Sequence, residues 1–143
     1  MAEDKKKEID VTVIEVTEEY LKEKLYEIRG KRVLLDADLA EIYGYDTKGF
    51  NRQVKNNIEK FDEDFMFELT DEELEDLRYK NCTANISSKS RYNPHVFTEQ
   101  GLYMLMTVLK GPLAVKQSKA LIRTFKKMKD YILENRDLIG QRE

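Results

Sequence analysis

Between residues 36 and 61 the chain reads as a short helix, a glycine turn and a second helix, and that order constrains the whole domain. Leu39, Ala40, Ile42 and Tyr43 make one apolar helical face, with Asp36 ahead of them at an N-cap position. Gly44 follows, where helices commonly end in a left-handed residue. Asp46 or Thr47 then caps the next helix. Its apolar positions, Phe50, Val54, Ile58 and Phe61, are spaced 4, 4 and 3 apart, which is one helical stripe. The small Ala40 lets the second helix cross closely, and Phe50 anchors it to the first. This is the layout of a helix-turn-helix.

The polar side of the second helix carries the candidate chemistry. At 100° per residue, Lys48, Asn51, Arg52 and Lys55 fall within about a 100° arc, centred some 120° from the apolar stripe. Those residue types suit a DNA major groove. Arg and Lys donate to guanine, Asn pairs with adenine, and Lys also meets phosphate. Arg52 and Asn51 are the expected base contacts. Glu59 shares the face one turn later, so only the first two turns are expected to enter a groove.

Total charge argues the other way. With 25 basic and 28 acidic residues the formal charge is −3, whereas nucleic-acid-binding domains are commonly basic. The charges are nevertheless segregated. Residues 61–77 hold nine carboxylates and no base, whereas residues 78–97 hold Arg78, Lys80, Lys89 and Arg91 without an acid. Residues 110–129 hold seven bases and again no acid. Such blocks give one face a positive potential that the sum conceals. Within the polar, aperiodic stretch 81–91, Lys89 and Arg91 are flanked by serines and suit a wing that touches the DNA backbone.

Around this centre the sequence predicts an α+β domain. Residues 25–35 contain two β-rich runs around Gly30, a hairpin signal. Residues 65–69 read as a strand, and Thr70 with Glu73 as a capping box opening a helix to about Tyr79 that carries Leu74 and Leu77. Residues 92–97 read as a second strand, with Pro94 placing it at a sheet edge. Paired with 65–69 it makes a two-stranded ribbon from which residues 70–91 project. Thr98 caps a helix buried through Leu102, Leu105, Met106 and Leu109. Gly111 breaks that helix, and Pro112 suits the first turn of the last one. There Ala114, Ser118, Leu121, Phe125, Met128, Ile132, Asn135 and Ile139 form a seam spaced 4 and 3. Its first half is expected to pack on the domain and its end, beyond Tyr131, on a second copy. Residues 1–24 read as a tail or edge segment without cap signals, despite an alternating run of Val11, Val13, Ile14 and Val16. The expected divisions are 1–24, 25–131 and an extension at 132–143.

Other chemistries find little support in the residues. Cys82 is the single cysteine, so no internal disulfide or zinc site is expected, and a reducing cytoplasm fits. His95 is the single histidine and is expected to be structural. Asp62, Glu63 and Asp64 sit at a helix-to-strand turn, where acids serve turn geometry more often than magnesium. Phosphate-binding glycine loops and nucleophile motifs are missing. No apolar run approaches the roughly 18 residues of a membrane span. Catalytic residues, cofactors and metals are therefore not expected.

Residues 26 to about 136 also resemble the ORF-six N-terminal domain family, phage antirepressor-type DNA-binding domains related to KilA-N and Bro-N. The resemblance runs through Ile28, Arg29 and Gly30, residues 35–44 (LDADLAEIYG), 51–61 (NRQVKNNIEKF), 63–70 (EDFMFELT) and 94–101 (PHVFTEQG), in family order. It implies a winged-helix-like DNA-binding module of phages, prophages and bacterial chromosomes, often joined to a C-terminal regulatory domain. The expected partners are double-stranded DNA and a second copy of the chain through the last helix. The alternative is a protein-interaction module that binds a repressor.

Overall fold

The computed structural model describes residues 13–81, 84–86 and 92–142, with side chains as far as residue 130. The expected hairpin is formed by β1 (Tyr26–Ile28) and β2 (Lys31–Leu35), antiparallel with Tyr26 opposite Val33 and Ile28 opposite Lys31. Arg29 and Gly30 turn the chain at φ 58° and 73°, a two-residue turn whose twist matches that of its strands. A left-handed arginine is unfavourable on its own. Its side chain offsets this: Nε and Nη2 donate to the two carboxylate oxygens of Glu73 at 2.7 and 3.0 Å, and the guanidinium lies 4.0 Å from the centre of the Phe67 ring.

Two further strands, β3 (Met66–Glu68) and β4 (His95–Phe97), complete an antiparallel sheet in the order β1-β2-β4-β3. This corrects the expected edge position of β4 and the two-stranded ribbon. Phe97 stands between Leu34 and Met66, so β4 is paired on both sides. Pro94 does not interrupt the ladder because it precedes the strand, where only its carbonyl is used, accepting from the Leu69 amide at 3.0 Å.

The period-2 alternation of strands divides the interior in two. Leu34, Met66 and Phe97 point into the larger core, and Val33, Leu35, Phe67 and Val96 into a smaller one. The smaller core is closed by the segment between β3 and β4. Its helix, after α1 (Glu18–Lys24), α2 (Asp36–Ile42) and α3 (Thr47–Lys55), is α4 (Asp71–Lys80). Thr70 accepts from the Glu73 amide at 3.1 Å and Glu73 accepts from the Thr70 amide at 2.9 Å, the capping box in full. Leu77 is buried against the sheet, and Ala84 and Ile86 pack beside it.

The larger core gathers α1, α2, α3, α5 (Glu99–Leu105) and α6 (Pro112–Arg142). Here the N-terminal boundary is corrected. Thr17 caps α1, accepting from the Tyr20 amide at 3.1 Å, with Val16 and Leu21 buried on either side of the cap. The carbonyls of Ile14 and Val16 accept from Gln117 at 2.8 Å and Thr124 at 3.4 Å, so the chain belongs to the domain from residue 14 at least. Residue 18 onward is helix, not edge strand, because Thr17, Glu18 and Glu19 supply a cap and an acidic first turn.

Thr98 caps α5 through the Gly101 amide at 3.2 Å and donates to the Asp64 and Phe65 carbonyls. Along the first half of α6, Ala114, Leu121, Phe125 and Met128 are buried as the seam predicts, with Gln117 and Thr124 buried between them. Ile132, Asn135 and Ile139 fall outside the described side chains.

Two outcomes follow for stability. A Cβ at Gly101 stands 1.8 Å from the Phe65 carbonyl oxygen, so Gly101→Ala must push α5 away from the turn before β3. Urea denaturation is expected to register a loss of about 3 kcal/mol or more, the upper range for overpacking. Tyr20 carries a buried hydroxyl without a hydrogen-bond partner among the described residues. Burial first, then the charges of Asp38 and Glu41, push its pKa from 10.0 to about 12. Stability tied to the neutral phenol is fully present below pH 10 and is lost as pH rises toward 12. Circular dichroism against pH is expected to show Tyr20→Phe unfolding at a higher pH than the parent chain.

Candidate nucleic-acid interface

The turn between α2 and α3 has the hydrogen bonds of a Schellman ending. Gly44 adopts φ 77°, its amide donates to Glu41 at 3.2 Å, and the Tyr45 amide donates to Ala40 at 2.8 Å. The turn is also packed from behind. A Cβ on Gly44 meets the Leu113 side chain at 2.9 Å, Gln117 donates to the Ile42 carbonyl at 2.9 Å, and the Tyr43 and Ser118 hydroxyls are 2.8 Å apart. The first turns of α6 therefore fix how α2 hands the chain to α3.

Of the two possible caps it is Asp46 that opens α3, accepting from the Gly49 amide at 2.8 Å. Phe50 anchors the helix. It is fully buried, edge-on to Phe97 at 5.7 Å and to Tyr45 at 6.4 Å between ring centres. Val54 and Phe61 are buried too, but Ile58 is 51% exposed, a correction to the expected stripe. The helix stops at Lys55, where Asn57 turns its amide back onto the Gln53 carbonyl at 3.0 Å, and residues 58–60 form a tighter single turn. That change of pitch swings Ile58 outward and brings Phe61 in against Phe97 at 5.8 Å. Glu59 accordingly lies beyond α3.

A second correction concerns Asp36. Asp36 is the first residue of α2, preceded by Leu35, and its buried carboxylate joins three elements. Oδ1 accepts from the Ala37 amide at 2.7 Å, while Oδ2 accepts from Asn51 at 3.0 Å and from the His95 amide at 3.2 Å. Asn51 is half-buried, and one N–H of its side-chain amide makes this bond. Asn51 is therefore a brace between α2 and α3. His95 reaches Asp36 as well, with Nδ1 3.8 Å from Oδ2, in keeping with a structural histidine.

Lys48, Arg52 and Lys55 are all exposed, and none has an ion-pair or hydrogen-bond partner among the described residues. Lys89 and Arg91 lie outside the described residues. Ahead of them in the chain, Asn85 is seated on α2, donating to Asp38 at 3.3 Å and to Glu41 at 3.2 Å. Asp38 went unnoticed in the sequence because its side chain is fully buried only through tertiary packing, with Lys24 of α1 at 3.5 Å. Burial pushes its carboxyl up, against the pull of Lys24 and Asn85. Among the described residues no helix is long and apolar enough to cross a membrane.

Residues 23–108 match the family model of the ORF6N domain. No curated protein and no solved structure matches the chain.

The division of labour on α3 is open to measurement. Asn51→Ala strips a donor from a buried carboxylate and is expected to cost about 1–3 kcal/mol in urea denaturation. Arg52→Ala, at an exposed position without partners, is expected to stay within about 0.5 kcal/mol of the parent chain.

Proposed function

Because the chain belongs to the ORF6N domain family, we propose that it binds duplex DNA through α3 and acts as a phage- or prophage-type transcriptional regulator or antirepressor. The observation that carries this reading is the state of α3: one face anchored by Phe50 and Val54, the other presenting Lys48, Arg52 and Lys55 exposed and unpaired. In a chain with more acids than bases, three exposed cations without partners among the described residues give this helix a positive face suited to a polyanion. Arg52 is assigned to a base edge, where its guanidinium matches guanine, and Lys48 and Lys55 to flanking phosphates. Lys89 and Arg91 are assigned to the DNA backbone, as their sequence setting among serines suggests. A second copy, paired through the end of α6, doubles the contact and makes the operator a two-fold repeat. The activity is binding, with no catalytic step, cofactor or metal.

One observation favours a second reading, in which a repressor protein is the partner. On α4, Asp71, Glu72, Glu75 and Asp76 are exposed beside Tyr79, itself 89% exposed. Aromatic residues are enriched in protein interfaces.

Fluorescence anisotropy with mixed-sequence duplex, from about 50 to 200 mM salt, tests the DNA reading, since phosphate contacts make affinity fall steeply over that range. Binding is expected to weaken with salt, and to weaken further in an Arg52→Ala, Lys55→Ala double variant. Lys55→Glu is expected to reduce DNA binding and to leave a repressor complex intact. A folded chain with no salt-dependent affinity for DNA moves the assignment to the repressor-binding reading.

A further inference from the structure

Resting on the DNA reading, we infer that α6 carries a second phosphate-binding surface, separate from α3. Lys116, Lys119, Arg123 and Lys127 are spaced 3, 4 and 4 apart. At 100° per residue they occupy an arc of about 80°, roughly opposite the buried line of Ala114, Leu121 and Phe125. At 1.5 Å per residue the ridge is about 16 Å long.

All four side chains are exposed, and none has an ion-pair or hydrogen-bond partner among the described residues. Their neighbours behave otherwise: Lys126 pairs with Asp130 at 2.9 Å, and Lys129 pairs with Glu99. Elsewhere the protein balances its helices, as in the Asp76 and Lys80 pair on α4. Of 28 acidic residues, none falls between positions 110 and 129.

The occupant is chosen by charge and by area. A second copy laid along this face sets four cations against four cations, which is repulsive. An anionic membrane requires a broad apolar face beside the bases. The apolar face of α6 is spent in the core, and only Val115 and Ile122, 52% and 45% exposed, remain near the ridge. A duplex backbone requires neither, since it presents one negative charge per ~1.7 Å of axis. The ridge begins behind the α2–α3 turn, where Gln117 and Ser118 are bonded, and faces away from α2. Its cations stand on a different helix from those of α3, and they are assigned to phosphates that α3 does not contact.

The test compares the full chain with a variant carrying Lys116→Gln, Lys119→Gln, Arg123→Gln and Lys127→Gln, whose surface positions leave the fold intact. Anisotropy against salt with a mixed-sequence duplex is expected to give a slope shallower by about 3–4, at ~0.9 for each phosphate no longer neutralised. A parental slope in this variant, while the unaltered chain binds DNA, overturns the ridge and leaves the α3 reading standing. A parental slope in the Arg52→Ala, Lys55→Ala variant with a loss in the ridge variant overturns α3 and keeps the ridge. An unaltered chain that binds no DNA removes both. Phosphatidylserine vesicles, captured by the parent and not by the ridge variant while DNA binding is unchanged, overturn the inference in favour of a membrane surface.

Discussion

A carboxylate taken out of water must be met by donors, and the position of Asp36 makes those donors come from three places in the chain. Its oxygens are satisfied by the start of α2, by Asn51 on α3 and by the backbone of His95 on β4. An unmet buried charge costs far more than the net gain of any one of these bonds. The three elements are thus held in a single arrangement, in which the α2–α3 pair is locked to the centre of the sheet. The aromatic contacts of Phe50 and Phe61 with Phe97 follow the same route, from α3 and its exit to β4.

Placing β4 at the centre has a further consequence. A strand paired on both sides and alternating inward and outward forces a core on each face of the sheet. The main core takes α2, α3 and α6. The other face is left to α4 and to Ala84 and Ile86. Arg29 binds α4 to the β1–β2 turn through Glu73. The Arg29 guanidinium holds the Glu73 carboxyl below the usual range, an attachment that weakens as acid protonates Glu73.

The electrostatics follow from the same division. Acidic residues collect on α4, on the side of the second core, and on the turn before β3. Bases without partners among the described residues collect on α3 and on the outer face of α6, both built on the main core. A net charge of −3 is compatible with a local affinity for polyanions because at about 0.15 M salt fields from charges beyond roughly 8 Å are largely screened. The near surface decides.

Local pattern was sufficient for several features. The Arg29–Gly30 hairpin, the Gly44 ending, the Thr70 and Thr98 caps, the Gly111–Pro112 break and the buried half of α6 all depend on residues within a few positions of one another. Backbone conformation and capping are decided at that range. What the sequence alone did not reveal depended on partners far along the chain. β4 is central because β2, some sixty residues earlier, pairs with it. Asn51 bonds Asp36 because α2 and α3 cross at that point. Residues 14–24 join the domain because Gln117 and Thr124 reach their carbonyls. Periodicity determined which face of α3 is anchored and which carries charge. Which charged-face residues remain free was decided by tertiary structure, since a polar side chain at a helix crossing is captured by the nearest buried group that needs a donor.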